Sequence, residues 1–513
     1  MSLLLTALLA GSAHAASLDL IEVGGHWGTP GATDATALWW NPAGLAIVDN
    51  TSFVVEGAPT FATVNWDRPN PDYGIIDRDS LSSDPDGVAD EPYDYSGSQT
   101  LKFFGVVPYA GVKSNFGVKN LGVGASLAVP YAHSGDATDP DGIGRFQVRE
   151  GNIQTIYGML GAAYDIGDVL SVGVTGAYYH NTWDVNTDTE SVSAIRDATE
   201  ERFGESLTGY WQDADLENPG YATNLDFKKL TDSGITFNAG VYLHPKDTWA
   251  ISLSYNHGAK LANTGDVDIG FVCPPEADSV GNAGAQLFGL CGPDRAPVTL
   301  NGTGTISYSL PGRFNGGFVL TAVPKLRLEL MGAYVMWRVF DDYGIQTVVD
   351  PSEITLAEGD PETQAATADL SSQDRLWARD SRDTFWIGAD GKYRFHKLFL
   401  GGARVIYDRS AVATRTLATS NFDANLIGVS GIAVLKPSKT FDIGLSLGHQ
   451  FYFTRTVTDS AFGLAIDPAD RKEDRYNYQD SNGTYSGGVT RLGLSVRGRF
   501  GGGDDAGGEE DPS

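Results

Sequence analysis

The chain has 513 residues and a formal net charge of −29, with 63 glycines, 11% aromatic residues and only 4 methionines. That charge balance excludes nucleic acid as a partner, because phosphates are held by Lys and Arg. After the first segment no run of about 18 apolar residues occurs, which excludes transmembrane helices, and a composition rich in Gly and aromatics suits a barrel with aromatic girdles better than a helical protein.

Met1 to Ala15 holds a short apolar stretch and then Ala13-His14-Ala15, an A-x-A cleavage signal, so residues 1–15 read as a signal peptide. The stretch is too short to span a bilayer, and its start lacks Lys and Arg. Residues 16–50 follow. Gly24, Gly25, Gly28, Pro30 and Gly31 make this segment neither a good helix nor a good strand. It ends on Ala37-Leu38-Trp39-Trp40-Asn41-Pro42-Ala43-Gly44, in which Asn41 tolerates unusual backbone angles and Pro42 fixes the next φ.

From residue 51 onward, segments with alternate apolar residues recur. In Leu492-Gly493-Leu494-Ser495-Val496-Arg497-Gly498-Arg499-Phe500 the even positions are apolar or Gly and the odd ones polar, charged or Gly. Side chains alternate faces along a strand, so one face meets lipid and the other water. The same pattern predicts strands near 51–65, 98–109, 119–131, 150–164, 169–184, 234–244, 248–262, 302–323, 325–340, 384–395, 398–409, 422–435, 440–455 and 486–500. Pro311 lacks a ladder donor, so 302–323 is either one bulged strand or two short ones. Short turns such as Asp165–Asp168 and Lys436–Lys439 alternate strictly with long polar loops near 66–97, 132–148, 186–232, 270–300, 342–382, 410–421 and 456–484. Tight turns on one side and extended loops on the other are the habit of outer-membrane barrels. The expected fold is all-β: a barrel of about fourteen antiparallel strands over residues 51–500, an even number, as closure requires. Phe500 resembles the terminal aromatic signal read by the barrel assembly machinery. Residues 501–513 form an acidic tail.

The Asn41-Pro42-Ala43 motif before the first strand resembles the hatch of the FadL/TodX outer-membrane transporters of long-chain fatty acids and hydrocarbons. Leu121–Ser126 running into Pro130-Tyr131, Ser254-Tyr255-Asn256-His257 before Lys260, and Ala333–Trp337 before Phe340 extend the likeness in the right order along the chain. The resemblance implies a monomeric barrel in the outer membrane of a Gram-negative bacterium, plugged by residues 16–50. It implies a hydrophobic small-molecule ligand in the barrel, contact with outer-membrane lipid, gating by Asn41, Pro42 and Ala43, and sideways release at a kink in the third strand. Val129, Pro130, Tyr131 and Ala132 occupy that kink position, and Pro130 supplies a physical cause by lacking an N–H. The backbone there is expected to lose its ladder to a neighbour. Such proteins often present a basic side chain to a carboxylate. Here the matching position on the fifth strand is Asn181, beside His180, and Arg338 after Trp337 is the other candidate; a moved base favours uncharged hydrocarbons or other lipids.

Cys273 and Cys291 lie in one Gly/Pro-rich loop, and in an exported chain they are expected to pair as a disulfide, which on the chain-entropy model restricts the unfolded loop by roughly 3 kcal/mol. Metal spacing is lacking. Asp84–Asp90 and Asp139–Gly142 resemble fragments of calcium loops, but neither alone supplies the oxygens calcium takes. No cofactor is expected; a loop Ca²⁺ is the alternative to solvated acidic loops. Gly444-Leu445-Ser446-Leu447-Gly448 matches G-x-S-x-G but sits mid-strand, where a nucleophile elbow cannot form, so no enzyme is expected. The competing readings are a general diffusion porin, which would lack the hatch, and an adhesin borne on a barrel.

Overall fold

The computed structural model describes residues 22–70, 95–190, 222–271, 298–341, 343–349, 373–377, 379–461, 464–466, 473–475 and 481–501. Residues 1–15, read from the sequence as a signal peptide, Cys273, Cys291, the Asp84–Asp90 segment and residues 502–513 lie outside these.

Fourteen antiparallel strands form a closed wall. They are β1 Thr51–Arg68, β2 Gly97–Ser114, β3 Leu121–Ala137, β4 Glu150–Ile166, β5 Leu170–Glu190 and β6 Ala222–Lys246. β7 is Trp249–Asn256 with Ala259–Phe271, β8 is Val298–Leu310 with Arg313–Leu320, and β9 is Leu326–Val335 with Tyr343–Val349. β10 is Gln373–Trp377 with Thr384–His396, β11 Phe399–Asp408, β12 Leu426–Leu435, β13 Phe441–Tyr452 with Arg455–Val457, and β14 Gly483–Phe500. β14 pairs with β13 on one side and with β1 on the other, so the wall closes at Thr51↔Phe500. The rings of Phe53, Phe441 and Phe500 cluster over that junction.

The alternation read from the sequence is the alternation of the wall. On β14 Arg491, Ser495 and Arg497 are buried, and Leu492 and Leu494 face outward. Exposed apolar side chains recur around the outside, Leu160 at 71% and Ile235 at 83% among them. In water such a surface would be a large unfavourable patch; facing lipid it is not. No helix among the described residues is long and apolar enough to cross a membrane.

Several boundaries move. β8 is two segments, broken at Pro311-Gly312, where the missing N–H of Pro311 ends the first ladder. β7 breaks at His257-Gly258, and β9 is interrupted after Val335 by a short 3-10 helix, Trp337–Asp341. These breaks are in register: Asn256 pairs with Arg313, Arg313 with Val335 and Val335 with Thr384. One level of the barrel therefore interrupts four neighbouring strands. β5 and β6 run on as a ribbon to Glu190↔Ala222, well past the expected strand ends. The segment 410–421 holds two 3-10 turns, and its Leu417, with Phe422 just after it, packs against Trp66 and Tyr485 instead of standing out as a polar loop.

Candidate functional site in the barrel lumen

Residues 22–50 lie inside the wall, most of them buried. A segment that is neither helix nor strand must find partners for its backbone polar groups one by one. The inward side chains of the wall supply them. Arg404 donates to the carbonyls of Gly25 and His26 at 3.1 Å each, and Arg327 to that of Gly31 at 2.9 Å. Lys113 donates to Leu45 and Val48, and Asn238 and Asn256 both donate to Trp39 O, at 2.7 and 2.9 Å. Glu329 accepts from Gly31 N and Thr29 Oγ1, both at 2.8 Å. The wall charges are themselves paired: Arg404 with Asp390, Arg327 with Glu329, Arg491 with Glu56.

The Asn41-Pro42-Ala43 motif is the tightest point of this seat. Asn41 is extended (φ −156°), and its Oδ1 accepts from Ala43 N at 3.1 Å, which caps the 3-10 helix Pro42–Ala46. Its Nδ2 donates to Val241 O on β6 at 2.9 Å and to Ser252 Oγ on β7 at 2.6 Å. Ser171 on β5 donates to Ala43 O at 2.7 Å. The backbone comes this close because the wall has glycines there. A Cβ on Gly240 would stand 2.0 Å from Asn41 Oδ1, one on Gly173 2.5 Å from Ala43 N, and one on Gly122 2.2 Å from Leu45 O. Pro42 at the first helical position fixes φ without wasting a donor.

The expected kink position, Val129 to Ala132, lies within the continuous strand β3, where the ladders are irregular. β2 and β3 pair at Lys102↔Asp136 and again at Tyr109↔Ala128. Between these points Phe103–Pro108 of β2 and Val129–Gly135 of β3 form no ladder with each other. On the other side of β3 the register slips between Ala128↔Tyr157 and Tyr131↔Thr155, so Val129 and Pro130 have no partner in either ladder. The alternation also fails, since Ala128 to Ala132 are buried in succession. Pro130 and Pro108 bring no N–H to the seam. Phe103 lies where a Cβ on Gly135 would be, 2.1 Å away.

Inside, the lumen has two tiers. Ser252, Ser254, Asn238, Asn256 and Asn315 form a polar tier around Trp39, Trp40 and Asn41. Next to it stands an apolar tier with Tyr131, Tyr157, Tyr179, Trp183, Leu261 and Tyr308. Asn181 belongs to this second tier. It is fully buried and donates to Gln154 O and Thr155 Oγ1, and its Oδ1 accepts from Tyr308 OH at 3.1 Å. Arg338 does not reach the tier. It sits exposed on the Trp337–Asp341 turn, its backbone N–H donating to Asp383. The strand expected to carry it is interrupted there by the 3-10 helix, which removes the inward alternation assumed for it.

Sequence reasoning missed Arg313. It follows the Pro311-Gly312 break, is fully buried, donates to Tyr131 OH at 3.2 Å, and lies over the rings of Trp39 and Tyr131 at 5.3 and 5.7 Å. The signal was present: Arg313 and Asn315 alternate with Phe314 and Phe318, which places Arg313 on the lumenal face. The Asp139–Gly142 segment is engaged internally, with Asp141 paired to Arg149 at 2.7 Å. Among the described residues no three His, Cys, Asp or Glu side chains come together as metal ligands.

A closed fourteen-strand barrel with an apolar outer belt is an outer-membrane protein of a Gram-negative bacterium. The family described as outer membrane protein transport protein (OMPP1/FadL/TodX) matches residues 23–500, and the chain belongs to it. Among solved structures, a FadL homologue of Pseudomonas aeruginosa is similar at 14% identity and a TM-score of 0.66, over 96% of this chain and 100% of that one. The monoaromatic hydrocarbon channel CymD is 13% identical with a TM-score of 0.55, over 91% and 93% of the two chains. The toluene transporter TodX of P. putida is 12% identical with a TM-score of 0.58, over 91% and 94%. At these identities the likeness speaks for the fold. No curated protein sequence matches the chain.

Proposed function

We propose that this protein carries hydrophobic small molecules through the outer membrane, that residues 22–50 act as its hatch, and that ligand leaves sideways between β2 and β3. The observation that carries the reading is the unpaired seam. Backbone without partners is costly in a hydrocarbon layer, by several kcal/mol per group, and is tolerated only where it is buried in protein or lines a cavity. A stretch of about six residues on each side is more than a bulge needs. The seam also touches the hatch: Tyr131 of the kink meets Trp39, two residues before Asn41. A ligand that displaces Trp39 would loosen the Asn41 seat and free the kink in one movement.

No covalent step is involved. The wall supplies polar anchors for the hatch and an apolar tier for the ligand, and Arg313 adds one cation beside that tier. Channels for toluene and other monoaromatic hydrocarbons share the fold, which makes uncharged aromatics candidate cargo, and the buried cation of Arg313 makes carboxylate-bearing chains a second candidate.

The test is to place one cysteine at Val106 and one at Val129, bridge them with a bifunctional thiol reagent, and measure uptake of radiolabelled toluene and oleate into cells. Uptake should fall with bridging and return when the bridge is cleaved. Unchanged uptake with the bridge verified by mass spectrometry would defeat sideways release.

A further inference from the structure

The formal charge of the chain is −29, yet the short-turn end of the barrel encloses a basic chamber. Strand alternation sets this up. On β10 Arg394 is buried and Phe395 exposed, and on β14 Arg497 is buried and Phe500 exposed, so both arginines point into the lumen as their strands end. Arg499 follows two residues after Arg497, on the same face. Lys436 stands one residue past the exposed Leu435 of β12 and is buried. These four cations, with Lys397 and Lys439 on the turns, line a cavity of about 790 Å³ shared with Thr33, Asp34 and Val48 of the N-terminal segment.

The chamber is short of negative charge. Asp34 is the one carboxylate among its described lining residues, and its Oδ2 accepts from Arg497 at 3.3 Å. Asp442 stands beside them and accepts from Arg497 at 2.8 Å and from Arg499 at 3.0 Å. Arg394, Lys436, Arg497 and Arg499 set against Asp34 and Asp442 leave two positive charges over, in a place where water screens them poorly. Lys436 shows the deficit most directly. It is 7% exposed and lines the chamber, yet its ammonium makes no hydrogen bond and no ion pair among the described residues. Buried ammonium groups are ordinarily paired. Burial lowers this one to about 8; Asp442 pulls it back up, while Arg499, Arg394 and Arg497 add to the fall.

The surplus points to the chemistry of the ligand. Guanidinium groups and a lysine point charge are the usual partners of phosphate oxygens. A phosphate monoester brings about −1.5 to −2 charge and three acceptor oxygens at neutral pH, close to the surplus, whereas a carboxylate brings one charge. The exposed Leu398 and Phe500 line the same cavity, so the space runs from a basic interior to an apolar rim.

We propose that this chamber is a binding site for a phosphate group, with Lys436 as its direct ligand and Arg394, Arg497 and Arg499 supplying the attracting field. The phosphate belongs either to a small molecule dissolved on the short-turn side or to a lipid headgroup reaching in over Leu398 and Phe500.

The full chain in zwitterionic detergent and phosphate-free buffer tests this, with acetylation by acetic anhydride read by peptide mass spectrometry. Added inorganic phosphate should slow acetylation of Lys436 along a saturable curve, by about tenfold when phosphate stands about tenfold above its half-effect concentration. Lys119, exposed on the β2–β3 turn at the same end, should not respond. Phosphatidylcholine nanodiscs with and without phosphatidic acid, free of dissolved phosphate, form the second arm. Protection by inorganic phosphate in detergent assigns the site to a dissolved ligand; protection by phosphatidic acid alone assigns it to a lipid headgroup. The heat of binding the effective ligand should be lost in Lys436→Gln and kept in Lys119→Gln, both checked for heat-modifiable migration. Absence of protection in both arms would overturn the proposal. So would sodium chloride protecting Lys436 as well as phosphate does at equal ionic strength, or an unchanged heat of binding in Lys436→Gln.

Discussion

The indole of Trp39 meets the ring of Tyr131 edge-on, with centroids 6.3 Å apart and planes at 79°. Trp39 belongs to the N-terminal segment and Tyr131 to the kink of β3, so one aromatic contact joins the two places expected to move. Arg313 bridges them on a third side. Such a pair contributes about 0.5–1.5 kcal/mol beyond its buried area. Replacing Tyr131 by Ala should therefore speed hydrogen exchange in the peptide around residues 34–44 by roughly threefold to tenfold, whereas Tyr131→Phe should have a smaller effect. Unchanged exchange in Tyr131→Ala would show that kink and segment are independent.

The seat of the N-terminal motif rests on missing side chains. Gly240→Val would place atoms against Asn41 Oδ1, where a Cβ alone would already stand 2.0 Å away. Overpacking of this kind costs about 1–3 kcal/mol, and Asn41 can escape only by leaving Ser252 and Val241. The expected outcome is a barrel that still shows heat-modifiable migration and in which protease reaches residues 22–50. Gly176→Ala is the control, since nothing lies within 4 Å of its added Cβ. Equal protease resistance in both variants would mean that the motif is not seated by these glycines.

Much of this was legible in the sequence, for reasons that differ by element. The wall was readable because one face of each strand meets lipid, which forces an alternation such as Leu492 to Phe500. Pro311 and Pro130 announced their breaks by lacking an N–H. The β5–β6 ribbon was not readable, because strands that leave the membrane no longer need an apolar face. Asn181 was found at its lumenal place. Arg338 stood out in the sequence by following Trp337, but a neighbouring aromatic says nothing about whether a strand is interrupted, and Arg313, just past Pro311-Gly312, went unread. The glycine seat could not be read at all: it depends on which residues of β3, β5 and β6 stand opposite Asn41, a matter of tertiary register.

His26 gives the N-terminal segment a pH response. Burial holds its imidazole below the ordinary 6.5, with Asp390 and Glu22 pulling the other way and Arg404 adding to the fall. Its Nδ1 is 3.7 Å from Asp390 Oδ2. The seated state thus binds fewer protons than the unseated one, in which the ring titrates near its ordinary value. Seating is fully supported above about pH 6.5 and weakens as pH falls through the lowered value. Hydrogen exchange in peptides covering residues 22–31 should be faster, relative to an unstructured reference peptide, at about pH 5 than at about pH 7.5. His26→Gln should remove that difference. A wild-type ratio that does not change with pH would contradict the assignment.

Arg313 offers a test of which class of cargo the barrel is proposed to handle. Its guanidinium is fully buried between Trp39 and Tyr131 beside the apolar tier. A carboxylate reaching it would gain a charge-assisted hydrogen bond in a setting of low effective dielectric, whereas a plain hydrocarbon would gain nothing from the charge. Arg313→Met keeps much of the volume and removes the charge. If carboxylate-bearing chains are carried and anchored here, oleate uptake should fall at least about tenfold, the equivalent of roughly 1.4 kcal/mol, while toluene uptake changes less than about twofold. Parallel losses for both compounds would instead make Arg313 a strut that holds Trp39 against the kink. In that case its removal should also raise hydrogen exchange around residues 34–44, an effect that loss of a ligand anchor alone would not produce.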